Sequence, residues 1–534
     1  MPLAKKFIAY LFFLIFTFSL FSGCIFEDII FGTNFTLKSW RISDEDGFPS
    51  LNISFSCSDT IIVNIVGPDS IVLDSDSFFI GNHNETFNLA EFRNSVKPGE
   101  YKLIAYDNKD SEIFSESFFF QGEILNIISC KQKWWKKDQW LGNYALLGLE
   151  LYVTNNGDTP AYPYNLTYIL DSQKNESLVL PEVILPGSRE YIKCFTYENT
   201  TIGEKTLSVD LKNQNNNLLA TEEFLVEVKE NVPIEEVSWH YKGNRKRNVP
   251  KSEYLYDYYR SLDRIITDDY ALYVFDPYDN KYIDVLLDCL LFGFSSTNIE
   301  EKINYIASMV QTIEYTSDSE TDSTYEYPRY PVETLFDRKG DCEDKSILTA
   351  SLLQSMGYEV ALLRLPNHMA VGVKLSEESI PKYDFYAEDY YFLETTTTGK
   401  PCGFIPLENR NEISNLTIHT ISSRPLIIHN WINDKIAIFK NTDMGDFVKV
   451  KLYLENLGSD DANYVKITAG FFDKNGNDIN SESKIISILN PNSKKKVTLS
   501  VNIPKDEITW FKTRVYHDSD IVEEKQSASS FPVE

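Results

Sequence analysis

The stretch "YPRYPVETLFDRKGDCEDKSILTASLLQSMGYEV", residues 327–360, decides the fold of this chain. Its apolar spacing predicts a helix over residues 342–356. Asp341 precedes that helix, and its short carboxylate can cap the free backbone amides of the first turn. Gly357 follows as the residue that ends the helix. Cys342 therefore lies in the first helical turn, flanked by acids, in a chain that otherwise reads mainly as strands and loops.

A thiol in the first turn of a helix is exposed to two opposing electrostatic effects. Unpaired backbone N–H groups and the positive end of the helix dipole favour the thiolate by roughly 0.3–1 kcal/mol. The neighbouring carboxylates of Asp341, Glu343 and Asp344 oppose ionisation of Cys342. An imidazolium partner would lower the thiol pKa further than the dipole does. A nearby histidine therefore decides whether this cysteine is reactive.

Two later segments supply a histidine and an acid in strand-like sequence. In "NHMAVGV", His368 opens a strand and shares one face with Ala370 and Gly372, whose small size lets a helix approach closely. In "DYYFLETTTTG", Glu394 lies on one face of a further strand. We expect His368 to reach the Cys342 thiol and Glu394 to hold the second ring nitrogen of the imidazole.

The segments "GDCED", "NHMAVGV" and "YYFLETT", in this order and spacing, resemble the transglutaminase-like superfamily of papain-like cysteine enzymes. They are most similar to the transglutaminase-like cysteine proteinases of bacteria and archaea, and the resemblance covers about residues 300–405. It implies that Cys342 is the nucleophile, His368 the general base and acid, and Glu394 the orienting acid, where aspartate is usual. It also implies an upstream polar oxyanion donor, a role that Gln311 fits.

The N-terminus "MPLAKKFIAYLFFLIFTFSLFSGCIF" has the charged head and apolar core of a signal peptide, which we assign to residues 1–24. The small residues before Cys24 resemble the lipobox of prokaryotic lipoproteins, which implies lipidation of Cys24. A membrane anchor or a cleaved signal with a chance cysteine are the alternatives. In each case the remainder lies outside the cytoplasm, and seven N-x-S/T sequons fit an exported chain, glycosylated as in archaea.

An internal repeat links two regions of alternating apolar residues. "ELYVTNNGDTPAYPYNLTYIL" superposes without a gap on "KLYLENLGSDDANYVKITAGFF", so that Asn155 falls on Asn456 and Gly157 on Gly458. A repeat of this kind indicates two copies of one small β-domain. Its Asn-x-Gly turn resembles the cell-adhesion-related β-sandwich domain of prokaryotic surface proteins.

The pattern along the chain predicts a multidomain fold: a central α+β transglutaminase-like (papain-like) domain flanked by immunoglobulin-like β-sandwiches. The regions between the repeats show apolar residues at three- and four-residue spacing, which predicts helices. We assign β-sandwiches to 35–120, 121–230 and 426–534, and the α+β domain to 231–425.

Composition excludes several classes of function for these 534 residues. A net charge of −28 without a basic cluster argues against nucleic-acid binding. Seven cysteines and six histidines show no zinc-type spacing, and the predicted triad needs no metal, so we expect no metal and no cofactor. Regulation by calcium through the acidic surface is the alternative. A disulfide between Cys130 and Cys194 would be compatible with one β-domain, but the sequence does not give the pairing.

These features predict a lipid-anchored enzyme on the outer face of the cell membrane that acts on amide bonds of an extracytoplasmic protein or peptide. A Cys-His-Glu triad and a thioester intermediate make a peptidase or amidase the preferred interpretation. A catalytically inactive surface adhesion or binding protein, or a protein-crosslinking transglutaminase, are the alternatives. The sequence gives neither the substrate nor the oligomeric state.

Overall fold

The computed structural model describes residues 35–531 apart from 138–142, 231, 233–234, 266–268, 275, 322–325, 376–385, 388, 422–423, 443–444 and 506–507. The chain divides into two compact units, Met1–Ile234 and Glu235–Glu534. The predicted signal peptide and Cys24 lie outside the described residues. Within the described part of the chain, no helix combines the length and apolar character needed to cross a membrane.

The first unit begins with a β-sandwich whose sheets have the orders β1-β2-β5 and β4-β3-β6-β7. Period-two burial creates its inner faces: Ile61, Val63 and Ile65 are buried, whereas Ile62 is exposed. Its strands are β1 (Phe35–Glu45), β2 (Phe48–Cys57), β3 (Ile61–Val66), β4 (Val72–Phe78), β5 (Gly81–Asn88), β6 (Gly99–Tyr106) and β7 (Glu112–Phe120).

A second sandwich follows in the same unit, with sheet orders β12-β9-β8 and β11-β10-β13-β14. Its strands are β8 (Leu125–Lys136), β9 (Tyr144–Asn155), β10 (Asn165–Leu170), β11 (Gln173–Leu178), β12 (Arg189–Thr200), β13 (Gly203–Lys212) and β14 (Leu218–Val228). No disulfide joins Cys130 and Cys194, so the pairing that the sequence left open is not formed. They lie on strands β8 and β12, which flank β9, and two strand spacings, about 9.5 Å, exceed the reach of a disulfide.

The second unit opens with a mixed region in which helices cover a five-stranded antiparallel sheet of order β21-β22-β20-β19-β23. Its helices are α1 (Glu253–Ser261), α2 (Asn280–Leu291), α3 (Ile299–Gln311), α4 (Asp318–Thr321), α5 (Pro331–Asp337) and α6 (Cys342–Ser355), with 3-10 turns at Tyr270–Tyr273 and Ile413–Asn415. Its strands are β15 (Glu236–His240), β16 (Asn244–Asn248), β17 (Glu314–Tyr315), β18 (Lys339–Gly340), β19 (Val360–Leu365), β20 (His368–Lys374), β21 (Tyr386–Ala387), β22 (Tyr390–Leu393) and β23 (Thr417–Ile421).

A third sandwich completes the second unit, with sheet orders β24-β25-β28 and β27-β26-β29-β30. Taken strand by strand, this is the arrangement of the second sandwich. Its strands are β24 (Ile427–Thr442), β25 (Gly445–Asn456), β26 (Ala462–Phe472), β27 (Asp478–Leu489), β28 (Ser493–Asn502), β29 (Thr509–His517) and β30 (Asp520–Phe531). The predicted fold class, a central α+β region among β-sandwiches, is confirmed.

The repeated asparagine makes the same hydrogen bonds in both copies. Asn155 accepts from the Gly157 N–H at 2.9 Å and donates to two backbone carbonyls at 2.8 and 2.9 Å. Asn456 accepts from the Gly458 N–H at 3.0 Å and also donates to two carbonyls at 2.8 and 2.9 Å. Both glycines lack room for a Cβ, which would lie 2.2 Å from a backbone oxygen. The sequence repeat therefore reflects one buried turn used twice.

Candidate active site

Helix α6 begins at Cys342 and is buried along most of its length. Asp341 is its N-cap, and the Asp341 N–H donates to Asp344 Oδ2 at 3.3 Å, as in a capping box. Arg329 Nη1 binds the same oxygen at 2.9 Å, and both side chains are almost fully buried. A buried ion pair and a reciprocal cap thus fix the point at which the helix starts.

Ser346, one turn after Cys342, joins α6 to both strands that carry the predicted partners. Its hydroxyl donates at 3.1 Å to the carbonyl of Met369, the residue that follows His368. The same hydroxyl lies 3.1 Å from Oγ1 of Thr395, the residue that follows Glu394. The start of α6, the start of β20 and the end of β22 therefore meet at one place.

His368 and Glu394 form a direct pair. The Nε2 atom of His368 lies 3.0 Å from Glu394 Oε2, and the glutamate is completely buried. Glu394 Oε1 accepts from the Thr396 N–H at 2.7 Å and from its hydroxyl at 2.5 Å. Burial opposes ionisation, but the hydrogen bond and charge of His368, with the Thr396 donors, lower the pKa of Glu394 to about 2. The carboxylate can thus orient the imidazole by Nε2 and leave Nδ1 for another partner.

The Cys342 thiol has a different partner from the predicted one. In the described structure it donates to Glu343 Oε2 at 3.0 Å rather than to His368. Burial, the charge and hydrogen bond of Glu343, and the charge of Asp341 raise the pKa of Cys342 well above its ordinary value, while a backbone hydrogen bond from Met369 opposes them. The expected thiolate–imidazolium pair is therefore not the resting arrangement, because the carboxylate beside the sulfur stabilises the neutral thiol.

An acidic cluster adjoins the thiol. One carboxylate oxygen each from Asp318, Asp341 and Glu343 lie within 4.8 Å of one another, and all three residues are buried. Burial and the charges of Glu343 and Asp318 raise the pKa of Asp341. Burial and the charge of Asp344 raise the pKa of Glu343, although hydrogen bonds from Cys342 and Asp341 oppose that shift. The three clustered acids are the residues of the described structure that could hold a cation. The expectation of a metal-free protein stays a prediction.

Gln311 does not present its amide to the thiol as the oxyanion role requires. It ends α3 and is only 3% exposed. Its Nε2 donates to the carbonyls of Glu394 at 2.9 Å and Lys400 at 2.8 Å, and its Oε1 accepts from the Gly399 N–H at 3.0 Å. Both amide hydrogens of Gln311 are thus donated to backbone carbonyls, so the predicted role of Gln311 as oxyanion donor is wrong. Its side chain instead holds the loop after β22 by hydrogen bonds. The backbone N–H of Cys342, unpaired within the helix, is left for the oxyanion role.

Lys345 is a site residue that the sequence reasoning did not identify. Its side chain is fully buried three residues after Cys342. Its ammonium donates to the backbone carbonyls of Gln311 at 3.4 Å, Ile313 at 2.9 Å and Thr396 at 3.5 Å. Burial lowers the pKa of Lys345 to about 8, and the charge of Glu394 opposes that shift. The signal in the sequence is a lysine followed by a helix that carries no further charged residue up to its last residue, Ser355.

Comparison with known proteins finds a family model that matches part of this region. Residues 292–366 match the family model described as the transglutaminase-like superfamily. The matched span includes Gln311 and Cys342 and ends just before His368. A search of curated proteins found no match.

Three of the solved structures similar to this chain illustrate the range of matches. The YadV chaperone is 12% identical with a TM-score of 0.13, over 36% of this chain and 100% of that one. A tetra-tandem repeat in the extending region of a large adhesion protein is 8% identical with a TM-score of 0.17, over 91% and 96%. Red sea bream transglutaminase is 9% identical with a TM-score of 0.16, over 72% and 80%. At these TM-scores none of the three fixes the fold of this chain.

Proposed function

We propose that this chain, which contains a transglutaminase-like domain, is a thiol enzyme that cleaves amide bonds through Cys342, His368 and Glu394. The observation that carries the proposal is the 3.0 Å contact between His368 Nε2 and the buried Glu394, at the place where Ser346 joins helix α6 to both strands. A neutral imidazole held in this way can accept a proton at Nδ1.

The proposed reaction starts from the neutral thiol. Cys342 Sγ turns away from Glu343, transfers its proton to His368 Nδ1, and attacks the carbonyl carbon of the amide. The C–N bond then breaks as His368 returns the proton to the leaving amine, and a thioester remains on Cys342. Water attacks the thioester, again with His368 as base, and releases a carboxylic acid and the thiol. Throughout, Glu394 stabilises the imidazolium.

We further propose that the substrate is an extracytoplasmic protein or peptide and that lipidated Cys24 anchors the enzyme to the outer face of the membrane. The signal-like N-terminus and the lipobox-like residues before Cys24 support this location. Mass spectrometry of the mature protein should show Cys24 as its first residue with a lipid attached, and Cys24→Ser should show neither that N-terminus nor the lipid. An unlipidated Cys24 in the wild type would contradict the lipid anchor.

A binding protein with an inert thiol is the second candidate. The hydrogen bond from Cys342 to Glu343 favours it, because that contact keeps the thiol protonated. β-Sandwiches in both units offer surfaces for a protein partner. Amine transfer instead of hydrolysis, as in crosslinking, would use the same thioester.

The test incubates the full-length protein with a peptide mixture, with and without a dansylated primary amine, and follows products by mass spectrometry. We expect water addition to an amide in the wild type and no product with Cys342→Ala. Amine incorporation through Cys342 would identify crosslinking. Product formation by Cys342→Ala, or no turnover together with an unreactive Cys342, would reject the enzyme and favour the binding protein.

A further inference from the structure

A buried polar network joins three segments beneath the His368–Glu394 pair. Lys345, from the first turns of α6, donates to the end of α3 and to the turn after β22 through three backbone carbonyls. Gln311, the last residue of α3, holds the same turn through Glu394 O, Gly399 N–H and Lys400 O. We call Lys345 and Gln311 together the loop clamp.

The loop clamp acts on the groups that position the Glu394 carboxylate. Thr396 donates its N–H at 2.7 Å and its hydroxyl at 2.5 Å to Glu394 Oε1, and the Thr396 carbonyl accepts from Lys345. The Glu394 carbonyl accepts from Gln311 at 2.9 Å. Both ends of the peptide segment that carries the carboxylate are therefore held by side chains from two helices.

Burial of a lysine at this position carries a free-energy cost. A fully buried ammonium loses its hydration, and only the hydrogen bonds and charges around it offset that loss. Lys345 uses all three of its N–H donors on carbonyls of the segments that converge on the site. Glu394 is the negative charge that favours ionisation of Lys345.

We propose that Lys345 and Gln311 are positioning residues that fix the turn after β22, so that Glu394 binds His368 Nε2 and directs Nδ1 toward Cys342. The inference rests on the proposed function, because positioning Glu394 matters only if His368 and Cys342 are catalytic. If the turn moves, the imidazole rotates with its carboxylate, and a displacement of about 1 Å is enough to cost on the order of 10²-fold in rate. Substrate binding should change little, since neither side chain reaches the surface.

Two variants remove the clamp with little change in volume: Lys345→Met and Gln311→Met. Lys345→Arg keeps the charge and the donors as the conservative variant. Thr349→Val is the matched control, because Thr349 is equally buried on α6 and donates to the Lys345 carbonyl at 2.7 Å without contacting the turn. We expect kcat to fall by about 10²-fold for both methionine variants at unchanged KM, with partial recovery in Lys345→Arg and no loss in Thr349→Val. Lys345→Met leaves three buried carbonyls without their donor and should unfold at a lower denaturant concentration than the wild type, so all rates are compared in buffer in which each variant is fully folded.

A second readout does not depend on turnover. In the Cys342→Ala background, the imidazole N–H proton of His368 should be visible by NMR and exchange slowly, and Glu394→Gln should abolish that protection. We expect Lys345→Met and Gln311→Met to speed its exchange by about tenfold or more, whereas Thr349→Val retains the parent rate. Parent-like exchange in both methionine variants would overturn the clamp. Absence of thioester on wild-type Cys342 would instead reject the proposed function. The exchange measurement would still test the loop clamp, because it does not require turnover.

Discussion

At the scale of single residues, the chemistry depends on which partner the Cys342 proton has. In the resting structure that partner is Glu343 Oε2, at 3.0 Å, and the carboxylate disfavours a negative charge on sulfur. His368, meanwhile, is committed to Glu394 through Nε2. Catalysis therefore requires the thiol to exchange Glu343 for the other nitrogen of His368.

Glu343→Gln should make the thiol more reactive, because it removes the adjacent charge and so lowers the pKa of Cys342. We expect alkylation of Cys342 by iodoacetamide at pH 7.5 to be at least about tenfold faster, the change that one pKa unit produces. Peptide mapping by mass spectrometry over a series of times gives the rate. Glu359→Gln, an exposed acid that pairs with Lys374, is the control and should leave the rate unchanged. Equal rates for both variants would contradict the role of Glu343.

The same cluster makes stability depend on pH. Asp341 and Glu343 have raised pKa values in the folded protein, so the native state binds more protons than the unfolded state above about pH 4. Their stabilising effect is complete below that pH and is lost as pH rises through the raised values. Wild type should thus lose more unfolding free energy between pH 5 and pH 8 than Glu343→Gln, as measured by urea titration. Parallel losses would show that the cluster does not hold extra protons.

At this scale, the sequence predicted the contacts that depend on the backbone pattern but not those that depend on side-chain rotamers. The resemblance predicted that Glu394 would be the partner of His368, and strand alternation gave the face on which Glu394 lies, because successive side chains on a strand point to opposite faces. The contact between Cys342 and Glu343 depends on the rotamers of adjacent residues, which sequence periodicity does not determine. The role of Gln311 was mispredicted for a similar reason. Its amide at the end of a helix contacts the loop after β22, and the sequence does not give the path of that loop.

At the scale of elements, the start of α6 depends on the ion pair between Arg329 and Asp344. Arg329→Met leaves the carboxylate buried without its cation, which should lower the unfolding free energy of this region by about 3–5 kcal/mol. Asp344→Asn added to that variant removes the charge but keeps an oxygen for the Asp341 N–H, so it should recover at least half of the loss. Urea unfolding measures both variants. A single variant as stable as wild type would show that the pair does not fix the helix start.

Element boundaries followed from local signals where those signals were strong. Asn298 caps α3 by accepting from the Glu301 N–H at 2.8 Å, as its position before an apolar run predicts. The predicted helix over 342–356 is observed as Cys342–Ser355, and Gly357 follows with a φ of +83°. The order of strands in the central sheet was beyond the sequence, since β20 pairs with β22 although β21 lies between them along the chain.

At the scale of the whole molecule, the two repeat copies lie in different compact units. Asn155→Ala should destabilise only the first unit and Asn456→Ala only the second, because each removes buried hydrogen bonds within its own sandwich. The loss should be about 1–3 kcal/mol or more for each orphaned group. Differential scanning calorimetry should show one transition lowered in each variant, while the exposed Asn156→Ala control leaves both unchanged. A shift of both transitions by one variant would show that the units unfold together.

The repeat was predictable because the buried asparagine and the crowded glycine leave little freedom to the sequence at that turn. The partner of the β-sandwiches could not be predicted, because many different side chains fit an exposed strand face without loss of the fold. The same holds for the substrate, which depends on loops around Cys342 rather than on the helix and strands that build the site.

The most direct test of the central claim is acylation of Cys342 by p-nitrophenyl acetate, followed by mass spectrometry of the intact full-length protein and of its peptides. The account predicts an acetyl group on Cys342 in the wild type, none there in Cys342→Ala, and formation slower by about 10²-fold or more in His368→Ala. Equal acylation rates in wild type and His368→Ala, or acetylation confined to the other cysteines, would contradict it.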